Sequence, residues 1–160
     1  MKTALMLLFI CCFNLIAFSQ FTEPAEIPNG IKNTPFADVI AAKANSTKEG
    51  FSLTVTIESP DKGCNQYADW WEVLDEGRQL MYRRILTHSH VAEQPFSRNG
   101  ESVLMNESQN IWIIAHMNNA GYGGISLFGS VKNGFRATAL PEDFDASLAR
   151  QTPLPTGCDF

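Results

Sequence analysis

The stretch Phe51-Ser52-Leu53-Thr54-Val55-Thr56-Ile57-Glu58-Ser59 alternates apolar and polar residues without interruption. Because successive side chains of a β-strand point to opposite faces, this pattern predicts a strand with one face in a core and the other toward solvent. The residues that follow, Pro60-Asp61-Lys62-Gly63, have turn chemistry and end the strand. The fold is therefore expected to consist of short strands joined by turns.

A second strand is predicted at 67–74 and a third begins at Gln79, with turn residues 75–78 between them. The two strands are expected to form a hairpin. Their register stays open, because changing the loop by one residue turns every side chain to the other face. With a two-residue turn, Trp71 and Val73 lie on the same face as Tyr82 and Leu80, and Asp69 lies opposite Arg84. With a three-residue loop, Trp70 and Leu74 lie on the face of Tyr82 and Leu80 instead.

Later in the chain, Ile111–Met117 is apolar on both faces, which predicts a central strand covered on both sides. Runs at 125–131 and 135–139 flank Lys132-Asn133-Gly134, a strong hairpin signal. Residues 91–110 indicate a loop with a minor strand at 102–105, and 142–150 a helical turn or two. Seven or so short strands predict an all-β protein, either one antiparallel β-sandwich or a small barrel.

The amino-terminal 19 residues have the pattern of a secretory signal peptide. Lys2 precedes an apolar run, and Ala17-Phe18-Ser19 predicts cleavage before Gln20. The chain is therefore expected to be secreted or periplasmic, with no membrane span after cleavage. A lipid anchor on Cys12 is less favoured, because Phe9-Ile10-Cys11 is bulky where such a site needs small residues.

Removal of the leader leaves about 140 residues, the size of one domain. The predicted division is a signal peptide at 1–19, an irregular, Pro-rich lead-in at 20–50 and a β-sandwich domain at 51–160. Within the lead-in, only Phe36–Ala44 is compatible with a short helix.

The net charge of −5 becomes −6 without Lys2, and the chain has no basic block. Nucleic acid and anionic membrane surfaces are therefore excluded as expected partners. The partner that remains expected is an unidentified small molecule or a component of the cell envelope. Asn45-Ser46-Thr47 and Asn106-Glu107-Ser108 match the acceptor pattern for glycosylation.

Two cysteines, Cys64 and Cys158, remain after the leader is removed. An even pair in an oxidising compartment favours one disulfide over a catalytic thiol or a metal thiolate. The bond is expected to attach the carboxyl terminus to the body of the domain.

All three histidines lie near predicted strand ends. The run Tyr82–His90 is predicted as a strand ending in the pair His88 and His90, and His116 ends the strand that begins at Ile111. Imidazole is a good ligand for copper and zinc, and neighbouring strands would bring the three rings together. His88, His90 and His116 therefore form the candidate metal site, and Met105 and Met117 are candidate thioether ligands that favour copper. The alternative is that the three rings are ordinary polar groups at strand ends and no metal is held.

Three resemblances follow from these residues. Ile113–Gly121 resembles the penultimate strand of fibronectin type III domains, which implies an immunoglobulin-like sandwich with a binding or architectural role. His88-Ser89-His90 followed by Glu93 and Gly100 resembles the first motif of cupin barrels, which implies a metal-dependent enzyme; two residues, where cupins have three or four, separate His90 from Glu93. The block from Gly63 to Gly124 resembles an uncharacterised family of secreted bacterial proteins.

Aromatic residues supply a second candidate site. Tyr122, in the Gly-rich segment 121–124, is expected to be an exposed ligand contact, and Trp70 is a candidate stacking surface. Asp69, Glu72, Arg83 and Arg84 are expected to form cross-strand ion pairs. Together these features favour a non-enzymatic extracytoplasmic binding module, with a cupin-like metalloenzyme and a metal-free adhesion or envelope-interaction domain as alternatives.

Overall fold

The computed structural model describes residues 35–159 and shows two antiparallel sheets packed face to face, not closed into a barrel. The predicted all-β sandwich is thereby confirmed. One sheet has three strands in the order β1-β2-β5 and the other has five in the order β4-β3-β6-β7-β8. The strands are β1 (Asp38–Ser46), β2 (Phe51–Glu58), β3 (Ala68–Asp75), β4 (Leu80–Ile85), β5 (Phe96–Val103), β6 (Ile111–Met117), β7 (Ser126–Ser130) and β8 (Gly134–Thr138).

The main core lies between the two sheets and contains the alternate residues that the sequence pattern selects. From β2 the inward side chains are Leu53, Val55 and Ile57, which are at most 1% exposed. Trp71 of β3 is the largest fully buried side chain and packs against Tyr82, with ring centroids 5.5 Å apart. Gly100 of β5 makes room for it, because a Cβ there would lie 2.6 Å from the Trp71 ring.

Strand β6 is the third of the five strands in its sheet, so the prediction of a central strand at Ile111–Met117 is confirmed. The hairpin of β7 and β8 around Asn133 is also confirmed. In the β3–β4 hairpin, Trp71 and Val73 share the inner face with Tyr82, as in the two-residue alternative, but Trp71 and not Asp69 lies opposite Arg84. The register shifts between Val73 and Leu74, so that Leu74 lies opposite Leu80. Leu80 is therefore on the outer face and not beside Tyr82 as the two-residue alternative had it.

Three sequence expectations about secondary structure are wrong. Most of the helix-compatible run at 36–44 belongs to strand β1, whose Val39 is fully buried. The sandwich therefore begins before residue 51. Residues 20–34 of the predicted lead-in lie outside the described part. Residues 96–103 form a full strand with polar side chains, because one face of β5 is solvated. Strand β4 ends at Ile85, so His88 and His90 follow the strand instead of ending it.

The carboxyl-terminal segment, residues 140–159, crosses the outer face of the five-stranded sheet. It includes a 3₁₀ helix at Ala146–Arg150. Leu148 packs on Leu74 and Ile114 in a second, smaller core, together with the partly buried Leu80, Trp112, Tyr122, Leu140 and Phe144. The disulfide between Cys64 and Cys158 is present as predicted, with Cα atoms 5.7 Å apart. Within residues 35–159, no helix has the length and apolar character needed to cross a membrane.

Candidate functional site

The outer face of the five-stranded sheet carries a group of buried polar side chains. Trp71 and Val73 point into the main core, so the alternating residues Trp70 and Glu72 point to the opposite face. His116 lies beside Trp70 in the register of β3 and β6 and shares that face. These side chains lie beneath the carboxyl-terminal segment.

Glu72 is the centre of this group and is fully buried. Its Oε1 accepts hydrogen bonds from the Trp70 indole, from the Tyr122 hydroxyl and from Arg83, whose Nε lies 3.0 Å away. Glu72 and Arg83 are paired across the β3–β4 ladder, and both side chains are inaccessible to solvent. Of the expected cross-strand ion pairs, the one between Glu72 and Arg83 is present, in the protein interior, whereas Asp69 pairs with His116 instead. We call Glu72, Arg83, Trp70 and Tyr122 the Glu72 cluster.

Arg83 joins the Glu72 cluster to the carboxyl-terminal segment. Its guanidinium donates to the main-chain carbonyl of Leu148 at 2.9 Å, to that of Pro153 at 2.9 Å and to that of Gln151. The same group lies over the Trp70 ring, 4.4 Å from its centroid. A planar group with five donors suits this task, because a lysine could not reach three carbonyls and a carboxylate together.

The electrostatics of the Glu72 cluster follow from its burial. Burial raises the pKa of Glu72, while hydrogen bonds from Tyr122, Arg83 and Trp70 act in the opposite direction. Burial and the adjacent carboxylate raise the pKa of Tyr122 far above its ordinary value, so its hydroxyl remains a donor. The cluster is therefore arranged to hold the carboxyl-terminal segment on the sheet, since its carboxylate is fully buried and Arg83 bonds to that segment.

His116 forms a pair with Asp69 on the same face. The Nδ1 atom of His116 lies 2.7 Å from Oδ1 of Asp69, and its ring stacks on Trp70 with centroids 3.8 Å apart. Burial raises the pKa of Asp69, and the hydrogen bond with His116 opposes that shift. The imidazole is thus fixed in orientation by a carboxylate and an indole.

His88 and His90 lie elsewhere, in the connection between β4 and β5. The His90 ring stacks on Phe96 of the main core, with centroids 3.7 Å apart, and is only 3% exposed as a residue. Among the described residues, 35–159, neither ring nitrogen of His90 has a hydrogen-bond partner, and Nδ1 lies 3.9 Å from Oδ2 of Asp61. His88 is exposed, and its ring centroid is 4.6 Å from that of His90. Burial lowers the pKa of His90, and the neighbouring Arg98 and His88 lower it further.

The structure brings together two of the three candidate metal ligands. His116 packs on the outer face of the five-stranded sheet, whereas His90 packs against the main core between the sheets. In residues 35–159, no group of three or more His, Cys, Asp or Glu side chains is placed to hold a metal ion. Met105 and Met117 are core residues of the sandwich. Metal binding therefore stays a prediction, without a three-histidine geometry to support it.

Trp70 and Tyr122, the two aromatic candidates for ligand binding, are less exposed than expected. Trp70 is only 4% exposed, and Tyr122 turns inward with its ring against His116 and Phe144. The expectation that the Gly-rich segment presents an exposed tyrosine is wrong, because the hydroxyl of Tyr122 reaches the buried Glu72. Glu93, the glutamate of the cupin-like motif, is exposed and pairs with Arg98 at 3.0 Å. Ligand binding by Trp70 and Tyr122 stays a prediction.

A groove of about 510 Å³ that the sequence did not indicate runs along β4. Every residue of the strand lines it, with Glu101 on one side and Thr152 and Pro153 on the other. Strand β4 is an edge of its sheet, and no other strand in the part of the chain described, 35–159, pairs with its outer side. Edge position depends on the order of strands, which local sequence patterns do not reveal.

The β3–β4 ladder shows which main-chain groups face the groove. Leu86 N–H donates to Asp69 O at 2.8 Å, so Asp69 and Leu86 begin the hydrogen-bonded pairs of this ladder. Such pairs alternate with non-hydrogen-bonded ones along an antiparallel ladder. Arg83 and Ile85 fall in the second class, and their N–H and C=O groups therefore point away from β3 toward the groove.

The fold and these sites define an antiparallel β-sandwich with one disulfide, a buried ion pair and an open edge strand. No family model matches the chain, and no solved structure matches it. The chain is 30% identical over 114 residues to a protein of Halomicrobium mukohataei described as "Putative lipoprotein". The match covers 71% of this chain and 54% of that relative, so the chain spans about half the length of the curated relative it matches.

Proposed function

We propose that the protein is an extracytoplasmic, non-enzymatic binding module of the cell envelope that takes up an extended polypeptide segment along the edge of β4. The observation that carries the proposal is the groove along the whole of β4, into which the main-chain groups of Arg83 and Ile85 point. An extended peptide offers the complementary N–H and C=O groups and can add a strand to such an edge.

Placement outside the cytoplasm is supported by two independent features. The disulfide between Cys64 and Cys158 belongs to an oxidising compartment. The relative from Halomicrobium mukohataei has a name that refers to a lipoprotein, a class of protein attached at the cell surface. The leader-like residues at 1–19 agree with both. An envelope protein segment is thus the natural occupant of the groove.

The groove walls restrict the occupant further. Arg84 and Glu101 are exposed side chains of opposite charge at the groove, and neither forms a salt bridge with another residue of the range 35–159. A bound strand with an acidic and a basic side chain on the same face would pair with both. We expect the ligand to be a mixed-charge, β-prone segment and not a purely apolar one.

A pair of variants at Ile85 tests the mode of binding. Linear peptides selected from a phage-displayed library against the mature protein are measured on Ile85→Pro and Ile85→Ala. Proline removes the outward N–H, which the β3–β4 ladder does not use, and proline is tolerated at such edge positions. Ile85→Pro is expected to weaken binding at least about tenfold, since a lost main-chain hydrogen bond also leaves a buried partner unsatisfied.

Ile85→Ala keeps the N–H and serves as the matched control, with circular dichroism to verify that both variants fold. Equal affinity of the selected peptides for the two variants would contradict strand addition. Peptides whose binding leaves the amide signals of Arg83 and Ile85 unchanged would contradict the choice of β4. Either result would leave the extracytoplasmic placement intact.

A further inference from the structure

The connection between β4 and β5 holds a feature that the proposed binding function does not use. His90 is buried, and within residues 35–159 neither ring nitrogen has a hydrogen-bond partner; Nδ1 lies 3.9 Å from Oδ2 of Asp61, too far for a hydrogen bond. Leaving a buried polar atom unsatisfied costs about 1–3 kcal/mol, so such groups in folded proteins usually serve a ligand or a specific contact. The ring nitrogens of His90 therefore require an explanation beyond packing on Phe96.

The backbone around His90 is held from several directions. Its N–H donates to Oδ2 of Asp61 at 2.7 Å, and Oδ1 of Asp61 accepts from Ala68 N–H at 3.0 Å and from the Ser59 hydroxyl at 2.8 Å. Asp61 is itself buried. Through these hydrogen bonds Asp61 holds the β4–β5 connection against the start of β3. The backbone that carries the His90 ring is therefore fixed in position.

His88 is held by the end of the chain. Asp159 N–H donates to Thr87 O at 2.7 Å, and His88 forms a parallel bridge with Asp159, the residue after the disulfide-bonded Cys158. The Ser89 hydroxyl accepts from Gly63 N–H at 3.1 Å, next to Cys64. Two main-chain positions that flank the disulfide therefore fix the backbone on both sides of His88. Its ring is exposed to solvent.

We propose that His88 and His90 form a two-imidazole site for a transition-metal ion, and that His116 has no part in it. The rings are 4.6 Å apart, close enough for a small rotation of the exposed His88 ring to direct a nitrogen of each at one ion. Metal–nitrogen bonds are about 2.0–2.1 Å long, so ligand nitrogens must lie within about 4 Å of each other. Solvent completes the coordination. Among divalent ions, Cu²⁺ binds nitrogen ligands most strongly and is the expected occupant.

His116 provides the control that distinguishes a two-histidine site from a three-histidine site. It is the remaining histidine of the chain, and its Nδ1 is already paired with Asp69 on the other side of the sheet. A three-histidine ion would need all three rings, whereas the proposed site needs two. The histidine substitutions therefore separate the two arrangements directly.

The experiment titrates Cu²⁺ into untagged mature protein with its disulfide intact, and into His88→Ala, His90→Phe and His116→Gln. Calorimetry gives the affinity, and electron paramagnetic resonance reports nitrogen coordination. Phenylalanine at 90 keeps the stack on Phe96, and glutamine at 116 keeps a polar partner for Asp69. We expect one Cu²⁺ ion per chain, with nitrogen hyperfine structure in its resonance spectrum. The affinity should be at least about tenfold lower in His88→Ala and His90→Phe and unchanged in His116→Gln.

Three results would overturn the proposal: no binding by the wild-type protein, binding that survives both His88→Ala and His90→Phe, or a comparable loss in His116→Gln. Thermal unfolding of each variant without copper shows whether it folds. If His90→Phe does not fold, His88→Ala still decides the outcome, because the His88 ring is exposed and is not part of the core.

Discussion

Two adjacent arginines on β4 have opposite environments. The Arg83 side chain is inaccessible to solvent and makes an ion pair with Glu72 plus hydrogen bonds to three carbonyls of the carboxyl-terminal segment. The Arg84 side chain, one residue further along the strand, is exposed. The alternation of a strand thus places one guanidinium in the interior and the other at the groove. A buried ion pair contributes little net stability relative to an apolar pair, but breaking it leaves a buried charge.

Arg83→Ala is therefore expected to lower the free energy of unfolding by about 3–5 kcal/mol, because Glu72 would remain buried without a cation. Arg84→Ala is the matched control and should change it by less than about 0.5 kcal/mol. Urea unfolding followed by tryptophan fluorescence measures both, and Trp70 is a suitable reporter because Arg83 lies over its ring. Equal losses in the two variants would show that the Glu72–Arg83 pair does not support the outer face.

Asp38, near the start of the described part, shows how charge burial opposes folding. Its Oδ1 accepts the Ile125 N–H at 2.7 Å, and it lies opposite Glu58 in the β1–β2 ladder. Burial raises the pKa of Asp38 above 3.8; the Ile125 hydrogen bond opposes this shift and the Glu58 charge adds to it. A carboxyl with a raised pKa binds its proton more tightly in the folded state. Its contribution to stability is therefore present at low pH and lost as the pH rises through the folded pKa.

Asp38→Asn is accordingly expected to raise the melting temperature at pH 7, because the amide oxygen still accepts from Ile125 without burying a charge. Near pH 3 the wild-type carboxyl is protonated, and the difference between the two proteins should disappear. Calorimetric melts at both pH values measure this. A variant that is less stable at pH 7 would indicate that the ionised carboxylate makes a stronger hydrogen bond than burial costs.

At the scale of elements, the carboxyl-terminal segment is held to the sandwich in two ways. Arg83 anchors its middle, and the disulfide anchors its end across a separation of 94 residues. On the chain-entropy account, closing a loop of this length stabilises the folded state by about 4–5 kcal/mol, since it restricts the unfolded chain.

The double variant Cys64→Ala/Cys158→Ala should therefore lose about 4–5 kcal/mol in urea unfolding. Its amides in the segment 86–90 should also exchange faster with solvent, because Asp159 N–H no longer holds Thr87. Reduction of the wild-type protein is the control and should reproduce both effects. A variant with unchanged stability and protection would mean that the segment is held by Arg83 and the outer core alone.

The elements also show what the sequence could and could not predict. Strand β2 and the β7–β8 hairpin were predicted because alternation and Asn133-Gly134 are local signals. Strand β1 was missed because Ala-rich Phe36–Ala44 matches a helical pattern as well, and pairing with β2 decides the outcome. The end of β4 was placed too late, since Leu86–His90 has a strand-like composition but turns to meet Asp61 and Asp159.

The candidate site was predictable only in part. Proximity of His88 and His90 followed from their spacing, but the position of His116 depends on which face of β6 meets which sheet. The burial of Glu72 was not evident, because a carboxylate on a hairpin is usually exposed, whereas here Arg83, Trp70 and Tyr122 all donate to it. The β4 groove likewise arises from strand order.

At the scale of the whole molecule, three features occupy different parts of the sandwich. The Glu72 cluster lies under the carboxyl-terminal segment, the groove follows the edge at β4, and the histidine pair lies where the chain leaves that edge for β5. Pro153, whose carbonyl accepts a hydrogen bond from Arg83, lines the groove together with Thr152. A polypeptide bound at β4, as proposed, would therefore contact a wall whose position depends on the buried ion pair. Loss of that pair would change the shape of the groove as well as the stability of the outer face.

Whether the protein is free or tethered to a membrane depends on how its amino-terminal residues are processed. A lipid on Cys12 would tether the protein to the membrane, whereas cleavage before Gln20 would release it. The bulky residues before Cys12 and the small residues at Ala17 and Ser19 favour cleavage before Gln20 instead. We expect mass spectrometry of the exported protein to show an amino terminus at Gln20, and Cys12→Ser to leave export unchanged. Labelling by a radioactive fatty acid that disappears in Cys12→Ser would contradict this expectation and would tether the β4 groove to the membrane surface.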